Sequence, residues 1–334
     1  MTLTLRINPD KPEPEIIVRA AAILRDGGLV AFPTETVYGL GANALDATAV
    51  ARVFTAKGRP ANNPLIVHVA DSASVQGIAA DWPDAASRLA ERFWPGPLAL
   101  VLPRGSGVPA IVTAGGPTVA VRQPAHAVAR ALILATNLPL AAPSANRSTR
   151  LSPTRAEHVA RDLDWKIDLI LDAGPTRGGL ESTVLDVTRT PPRLLRPGPI
   201  TPSEIAVIIG PIEVGSSELS SPETPLLSPG MIPRHYSPRA PLVIAHDGGS
   251  DQVMTHVQAG QKVGWLTLQD HTNQSHARLV RVVMPADPAG YAAHLYASLH
   301  ALDDAGVDLI VVAMPPDREE WLAIRDRLRR AATS

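Results

Sequence analysis

The chain has 334 residues, of which 45% are apolar and 19% charged, and its formal net charge is -1. The length favours two domains, the composition is ordinary for a globular protein, and the near-zero charge excludes a global field that attracts nucleic acid or an anionic membrane. The absence of cysteine excludes disulfides, thiolate zinc sites and cysteine nucleophiles, and it fits a cytosolic protein.

The start of the chain and its hydropathy predict neither secretion nor membrane insertion. The segment MTLTLRINPDKPEPE has no basic region followed by an apolar run. No stretch approaches the ~20 apolar residues that span a bilayer. We therefore expect a cytoplasmic protein with no membrane contact.

The first part of the chain predicts an α/β domain, because short β-like runs alternate with amphipathic helices over roughly 210 residues. The predicted strands are 29–32, 64–69, 97–102, 118–121, 138–142, 168–172 and 182–187. One predicted helix is capped by Asp46 and ended by Gly58, and a capping box at Thr201 and Glu204 opens another. Further helices are predicted at 84–93, 126–135 and 154–162.

The rest of the chain predicts a linker and a second, smaller domain. Residues 213–240 are rich in Ser, Pro and Gly and show no periodicity, which is typical of a linker. After it, strands are predicted at 241–247, 262–268, 277–283 and 307–314, with helices at 251–258, 288–304 and 318–332. The predicted architecture is a catalytic domain at 1–212, a linker at 213–240 that forms an active-site loop, and a small Rossmann-like parallel α/β domain at 241–334.

Short polar loops recur through the first domain and offer many hydrogen-bond donors but few acids. They are the segments 33–41, 57–69, 118–124, 143–148, 179–184 and 194–198, and a seventh follows at 234–238. Donors of this kind hold phosphates and carboxylates, so the loops predict an anion pocket for a nucleotide beside a small acid. Glu35 and Glu181 are the only acids in these loops, too few for a metal cage.

Two common nucleotide fingerprints do not account for this pocket. The segment from Gly39 to Ala44 matches a dinucleotide-binding pattern, but it lacks a clean strand-turn-helix start and an acid about 20 residues later. A Walker A sequence is absent. The sequence therefore predicts a less common nucleotide pocket.

Several of the candidate residues also have a purely structural interpretation. Lys57 fits a phosphate contact or a solvated helix end, and His68 fits a ligand or a sheet-edge histidine. Arg122 fits bidentate capture of a carboxylate or a surface salt bridge. Ser144 and Asn146 fit a site at the end of a strand or a plain turn.

Taken together, the segments resemble the threonylcarbamoyl-AMP synthase family, whose catalytic unit is the YrdC-like domain. The elements PTETVYGL, KGRP, PSAN, STV and RPG occur in the order of that family, over roughly residues 15 to 210. PGM, HYSP and the trailing α/β domain match its long, two-domain form. EEWLAI and Ala313 depart from the family pattern in the C-terminal domain. The resemblance implies a twisted open mixed sheet with flanking helices in the first domain.

The resemblance also implies the reaction and the residues that perform it. The family makes threonylcarbamoyl-adenylate from L-threonine, bicarbonate and ATP with Mg²⁺, releases pyrophosphate, and supplies a threonylcarbamoyl transferase complex that modifies an adenosine in tRNA. The implied threonine contacts are Thr36, His68, Arg122, the Ala142 backbone and Ser182. The implied ATP contacts are Arg59, Asn63, Thr118, Ser144, Ser152, Arg196 and Tyr236. The implied catalytic set is Lys57, Arg59, Ser144 and Asn146, with no metal ligand from the protein and with Tyr236 closing over the nucleotide.

Two other functions use similar donors. A non-catalytic RNA-binding module could line a groove with them, but the near-neutral charge and the 4% aromatic content disfavour more than weak RNA contact. A carbamoyl transferase of the hydrogenase-maturation type shares a related domain. Such proteins carry additional zinc-finger parts, which a chain without cysteine cannot form.

Overall fold

The computed structural model describes residues 1–215, 235–245, 247–269 and 276–332. They form two compact units. The first comprises Met1–Ser148, Pro153–Arg177 and the described residues from Glu181 to 215. The second comprises Thr149–Ser152, Gly178–Leu180 and the described residues from 235 onward. Two short segments from the predicted catalytic domain therefore belong to the second unit.

Within the described residues, the first unit is built on an eleven-stranded mixed sheet, in the order β1-β8-β2-β3-β7-β4-β6-β5-β9-β10-β11. The strands are β1 Leu3–Arg6, β2 Val30–Pro33, β3 Tyr38–Asn43, β4 Ile66–His68, β5 Leu98–Pro103, β6 Thr118–Arg122, β7 Leu140–Ala141, β8 Leu169–Asp172, β9 Thr183–Asp186, β10 Arg193–Arg196 and β11 Glu213–Val214. The helices are α1 Pro14–Arg25, α2 Ala47–Lys57, α3 Asp84–Phe93, α4 Ala127–Thr136, α5 Ala156–Leu163 and α6 Pro202–Ile209. The mixed sheet with flanking helices confirms the predicted fold class.

The helix boundaries follow the capping residues in the sequence. The Asp46 side chain accepts the backbone N–H groups of Thr48 and Ala49, at 2.8 and 3.2 Å, and so begins α2. Gly58 ends α2 at a φ of 60°, in the left-handed region that glycine adopts without strain. The predicted capping box at the start of α6 is also present.

The strands β3 and β10 lie in segments that were interpreted as polar loops, and this interpretation was wrong. Tyr38–Asn43 pairs antiparallel with both β2 and β7, although it contains two glycines. A Cβ on Gly41 would lie 2.7 Å from the Phe32 ring, so close packing of the hairpin explains that glycine. Both glycines of the dinucleotide-like pattern are therefore inside a strand, which excludes a phosphate-binding turn there. The strand β1 and the helix α1 were not predicted at all.

A helix layer supports the sheet beneath the polar loops. The apolar faces of α1 and α4 supply Ile17, Leu24 and Leu132, which pack with Phe32 of β2 and Leu171 of β8. Burial of these side chains stabilises the strands from which the polar loops emerge, because each Å² of apolar surface removed from water contributes about 25 cal/mol. The site loops are therefore attached to a rigid support.

The second unit has, among its described residues, four parallel strands in the order β12-β15-β13-β14. They are β12 Leu242–Ala245, β13 Val263–Thr267, β14 Leu279–Val283 and β15 Leu309–Ala313, with helices α7 Ser250–Gln258, α8 Pro288–Asp304 and α9 Leu322–Ala331. The parallel sheet confirms the Rossmann-like prediction. The predicted helix 318–332 is divided, because a short 3₁₀ turn at Glu319–Trp321 precedes α9.

Most of the predicted linker lies outside the described residues, which omit 216–234. Its first residues are not linker, since Glu213–Val214 forms β11 and pairs with β10. Within the described parts of the chain, no helix combines the length and the apolar character needed to cross a bilayer.

Candidate active site

The turn between β2 and β3 is organised by the hydroxyl of Thr34. This hydroxyl donates to the Val37 carbonyl at 2.7 Å and accepts the backbone N–H groups of Thr36 and Val37, each at 3.2 Å. The Thr36 hydroxyl lies 2.7 Å from the Thr34 hydroxyl. These contacts fix Thr36 in a buried position and direct its oxygen toward Arg122.

Arg122 is the last residue of β6 and is 3% exposed. Its Nε donates to the Gly96 carbonyl at 3.1 Å, and its Nη1 donates to the Thr36 hydroxyl at 3.1 Å. Its Nη2 donates to the Glu35 carboxylate in a salt bridge. The predicted salt bridge is therefore present, but its arginine is buried and its carboxylate only partly exposed, so the pair does not lie on the open surface. A buried guanidinium with this many directed bonds has a fixed plane, as recognition of a carboxylate requires.

His68 is the last residue of β4, which lies inside the sheet between β7 and β6, so the alternative of a sheet-edge histidine was wrong. It stands opposite Arg122 in the parallel pairing of β4 with β6. Burial, reinforced by the nearby Arg122, lowers its pKa from 6.5 to about 3, so the imidazole is neutral near pH 7. Its Nδ1 is buried and has no hydrogen-bond partner among the described residues. A buried polar atom of this kind indicates a ligand position.

Ser182 and Arg196 form a second buried pair. Arg196 Nε donates to the Ser182 carbonyl at 3.0 Å, and its Nη2 donates to the Ser182 hydroxyl at 3.1 Å. Arg196 is the last residue of β10 and not part of a loop as expected. A Cβ on Gly198 would lie 2.2 Å from the Thr183 backbone nitrogen, so glycine is needed where this segment turns against β9.

The segment Gly96–Pro97 joins the two arginine pairs. The Gly96 carbonyl accepts from Arg122, and the adjacent Pro97 carbonyl accepts the Thr183 backbone N–H at 2.9 Å. Arg122 and Thr183, the residue after Ser182, therefore donate to consecutive carbonyls of one short segment.

Lys57 connects the end of α2 to the turn after β7. Its Nζ donates to the carbonyls of Ser144 and Asn146, each at 2.5 Å, and its own carbonyl accepts the Ser148 N–H at 2.8 Å. The side chain is buried, so the alternative of a solvated helix end was wrong. Burial, and then the proximity of Arg59, lower the pKa of Lys57 well below its usual range.

Arg59 organises the loop that follows α2. Its Nε donates to the Asn63 carbonyl at 2.9 Å, and its Nη2 donates to the Asn63 side-chain oxygen at 2.5 Å and to the Pro64 carbonyl at 2.6 Å. Asn63 is fully buried, and its side-chain Nδ2 has no hydrogen-bond partner among the described residues. The loop therefore offers a buried donor beside the Arg59 guanidinium.

The turn after β7, which Lys57 holds, lies beside β3. Since β7 pairs with both β3 and β4, this turn is close in the sheet to the strand that carries His68. Ser144 bridges Gly39, and the backbone N–H of Leu40 donates to the Pro143 carbonyl at 2.7 Å. The Ala142 N–H donates to the Ile66 carbonyl of β4 at 3.0 Å. Thr118 is half-buried at the start of β6.

Ser152 and Tyr236, two of the implied ATP contacts, belong to the second unit. Tyr236 is 1% exposed and has a φ of 61°, an uncommon conformation for a residue with a bulky side chain. Its ring lies 5.9 Å from the Tyr296 ring, and the Arg327 guanidinium stands 5.0 Å from its centroid. The second unit therefore holds this tyrosine in a single strained orientation.

Chemically, the first unit offers buried cations and neutral donors with few acids. No group of three or more His, Cys, Asp or Glu in the described ranges could hold a metal ion. The site can neutralise phosphates and fix a carboxylate, and the hydrogen bonds given above for the described residues pair no nucleophile with an activating base. Such a site favours a reaction that needs positioning and charge stabilisation.

Two family models cover almost the whole chain. The model described as Telomere recombination, Sua5_yciO_yrdC, matches residues 22–198. The model described as Threonylcarbamoyl-AMP synthase, C-terminal domain, matches residues 200–333. The chain belongs to the threonylcarbamoyl-AMP synthase family.

Individual members of the family are similar to this chain over nearly their full length. The Threonylcarbamoyl-AMP synthase of Bacillus subtilis is 47% identical over 323 residues, which is 95% of this chain and 92% of that protein. The one of Pyrococcus abyssi is 43% identical over 340 residues, which is 99% of this chain and 98% of that protein. The crystal structure of P. abyssi Sua5 complexed with L-threonine has a TM-score of 0.90 and 42% identity, and the match covers 99% of this chain and 97% of that one.

Membership in the threonylcarbamoyl-AMP synthase family makes the protein an enzyme of the nucleotidyltransferase kind, so the RNA-binding module is rejected. The match over the C-terminal region also disfavours the carbamoyl transferase of the hydrogenase-maturation type.

Sequence reasoning gave no role to several residues that shape this family site. The sequence marks Glu35 only as one of two acids in the polar loops, yet it is the ionic partner of Arg122. Thr34 and Gly96 were not considered, because their roles are a turn and a carbonyl acceptor that a distant arginine uses. The one sequence signal for a role of Glu35 at the site is its position directly before Thr36, an implied threonine contact.

Proposed function

We propose that this protein synthesises threonylcarbamoyl-AMP from L-threonine, bicarbonate and ATP and releases pyrophosphate. The names of relatives that are 47% and 43% identical support the reaction. The structural observation that carries the proposal is the buried Arg122 opposite the neutral His68 of β4, with the buried Lys57 bonded to the turn that follows β7, the strand paired with β4. Together they offer a carboxylate subsite and a phosphate subsite without a nucleophile.

The amino-acid subsite uses the residues around Arg122. Its guanidinium binds the threonine carboxylate, and the Thr36 and Ser182 hydroxyls contact polar groups of the same molecule. His68 meets the amino acid with its Nδ1, which has no partner within the described part of the protein. The Ala142 backbone lines the same subsite. A neutral imidazole suits this role, since a second cation beside Arg122 would be repelled.

The nucleotide subsite uses the other cations. Lys57, Arg59 and Arg196 neutralise the triphosphate, while Ser144 and Asn146 supply polar contacts from the turn that Lys57 holds. Asn63 and Thr118 supply the remaining nucleotide contacts within the first unit. A bound polyphosphate supplies the negative charge that Lys57 lacks, so ATP binding raises the lowered pKa of Lys57 and takes up a proton.

Mg²⁺ fits this site as a companion of the nucleotide. The described residues offer no acidic cluster for it, and the donor set consists of cations and neutral groups, which suit phosphate oxygens. When bound with the nucleotide, Mg²⁺ would neutralise part of the negative charge of the phosphates.

The chemistry needs two steps. The amine of threonine adds to the carbon of bicarbonate and water leaves, which gives an N-carboxylated threonine. A carboxylate oxygen of this carbamate then attacks the α-phosphorus of ATP, and pyrophosphate leaves with the bonding electrons. Lys57 and Arg59 stabilise the charge that develops on the phosphates, and Arg122 holds the reacting molecule in place.

The product is a labile mixed anhydride, which is suited to immediate transfer. We propose that it serves a cytoplasmic threonylcarbamoyl transferase complex that modifies an adenosine in tRNA, with at most weak direct contact between this protein and RNA.

Pyrophosphate release tests the proposal. Purified protein with ATP and Mg²⁺ is assayed with threonine and bicarbonate together and with each omitted in turn, and the adenylate product is identified by mass spectrometry. We expect release that requires both substrates. Release that requires neither would indicate an ATPase, and the proposed reaction would be rejected.

A further inference from the structure

Glu35 is the acid that contacts the amino-acid subsite most directly. One oxygen of its carboxylate accepts from Arg122 Nη2, and the other accepts the Ala125 backbone N–H at 3.1 Å. Its side chain is 18% exposed, while that of Arg122 is 4% exposed. The carboxylate thus connects the arginine to the backbone at the entry to α4.

This contact determines how Arg122 presents its donors. A guanidinium has five N–H groups, and bonds to Gly96, Thr36 and Glu35 use three of them. Within the described part of the chain these are the bonds that Arg122 makes, so its remaining two N–H groups are available for a ligand carboxylate. Without Glu35, rotation of the arginine side chain would be opposed only by two neutral acceptors, and its plane would be less well fixed.

The charge of Glu35 matters as well. An arginine that is buried without a counter-ion carries a large desolvation cost, which favours rearrangement toward solvent. Glu35 supplies the counter-ion from a position anchored to the backbone, so Arg122 stays charged and buried before the substrate arrives. The pair forms a preorganised receptor for a carboxylate.

We propose that Glu35 is a positioning residue for Arg122, and that the pair, rather than Arg122 alone, sets the affinity for the amino-acid substrate. This inference rests on the proposed function, because it takes threonine as the ligand of Arg122. Glu35 does not touch the reacting atoms, so its effect belongs to amino-acid binding and not to the phosphoryl chemistry.

If Glu35 instead competed with the substrate for Arg122, its removal would change the threonine affinity in the opposite direction. If its carboxylate merely occupied the place of the substrate carboxylate, removing it would free Arg122 and strengthen threonine binding. The bond from the Ala125 backbone N–H favours the positioning role, because it anchors the Glu35 carboxylate against displacement by the substrate carboxylate.

Isothermal calorimetry of the full-length protein tests the inference with threonine as the probe, in the presence of a non-hydrolysable ATP analogue. We expect E35A to raise the Kd for threonine by about 10- to 100-fold, the range for a lost bond to a charged group. E35Q keeps one oxygen acceptor but presents an amide donor toward the Ala125 N–H, so we expect a smaller rise of about three- to tenfold. The Kd for the ATP analogue and kcat at saturating threonine should change by less than about twofold in both variants.

The matched control is E213A, which removes the partner of Arg189 in a half-exposed ion pair of 3.3 Å and should leave the threonine Kd unchanged. If E35A does not fold, as judged by thermal unfolding, E35Q alone decides. An unchanged or lower threonine Kd in the variants would overturn the inference about Glu35. Threonine binding by the wild-type protein would in that case still support the proposed function. Wild-type protein that binds no threonine would overturn both.

Discussion

Replacing Arg122 with glutamine should weaken threonine use much more than ATP use. The change removes the buried guanidinium that contacts Gly96, Thr36 and Glu35, and it leaves Glu35 without its cation beside the incoming carboxylate. Truncating one partner of a buried, hydrogen-bonded charge pair costs about 2–5 kcal/mol. At about 1.36 kcal/mol for each factor of ten, kcat/KM for threonine should fall by about 30- to 5000-fold.

Steady-state pyrophosphate release, with threonine and ATP varied in turn, measures this effect. The KM for ATP should stay within about twofold, because the contacts of Arg122 do not include Lys57 or Arg59. Arg122→Lys is the matched variant, since it keeps the charge beside Glu35 but loses the planar fork. We expect it to recover only part of the threonine affinity. Equal losses for both substrates, or no loss, would refute the assignment of Arg122 to the threonine carboxylate.

Three further predictions concern stability and pH. Gly198→Ala would place a Cβ 2.2 Å from the Thr183 backbone nitrogen. Urea unfolding should therefore show a free energy of unfolding lower by about 1–3 kcal/mol, and activity should fall. Gly107→Ala is the control, since the nearest atom to its Cβ would lie at 3.3 Å and the loss of stability should be smaller. His68 has a pKa of 6.5 when unfolded and about 3 when folded, so the unfolded state binds more protons and stability falls as the pH drops from 6.5 toward 3. His68→Gln should therefore flatten the pH dependence of the unfolding free energy by about 1 kcal/mol per pH unit in this window, and an unaltered slope would contradict the buried, neutral imidazole. Asp46→Ala removes the cap of α2 and should cost about 1 kcal/mol of stability while KM for both substrates stays the same; altered kinetics would mean that α2 transmits the change to Lys57.

Features that depend on local chemistry were predictable from the order of the residues. The cap at Asp46, the end of α2 at Gly58 and the capping box of α6 were all predictable, because each is a hydrogen bond or a backbone conformation within a few residues. The parallel sheet of the second unit was predictable for a similar reason, since continuous apolar runs alternate with helical periods. The order of the polar motifs was enough to suggest the family.

The tertiary structure alone decided which strands pair and which charges meet. Gly39 and Gly41 have low strand propensity, so β3 becomes a strand only because β2 and β7 lie on either side of it. The pairing of Arg122 with Glu35 joins residues 87 positions apart in the chain. No local pattern encodes such a contact, because it results from the strand order of the sheet. Burial likewise lowers the pKa of His68 and gives it the neutral form on which its proposed role depends.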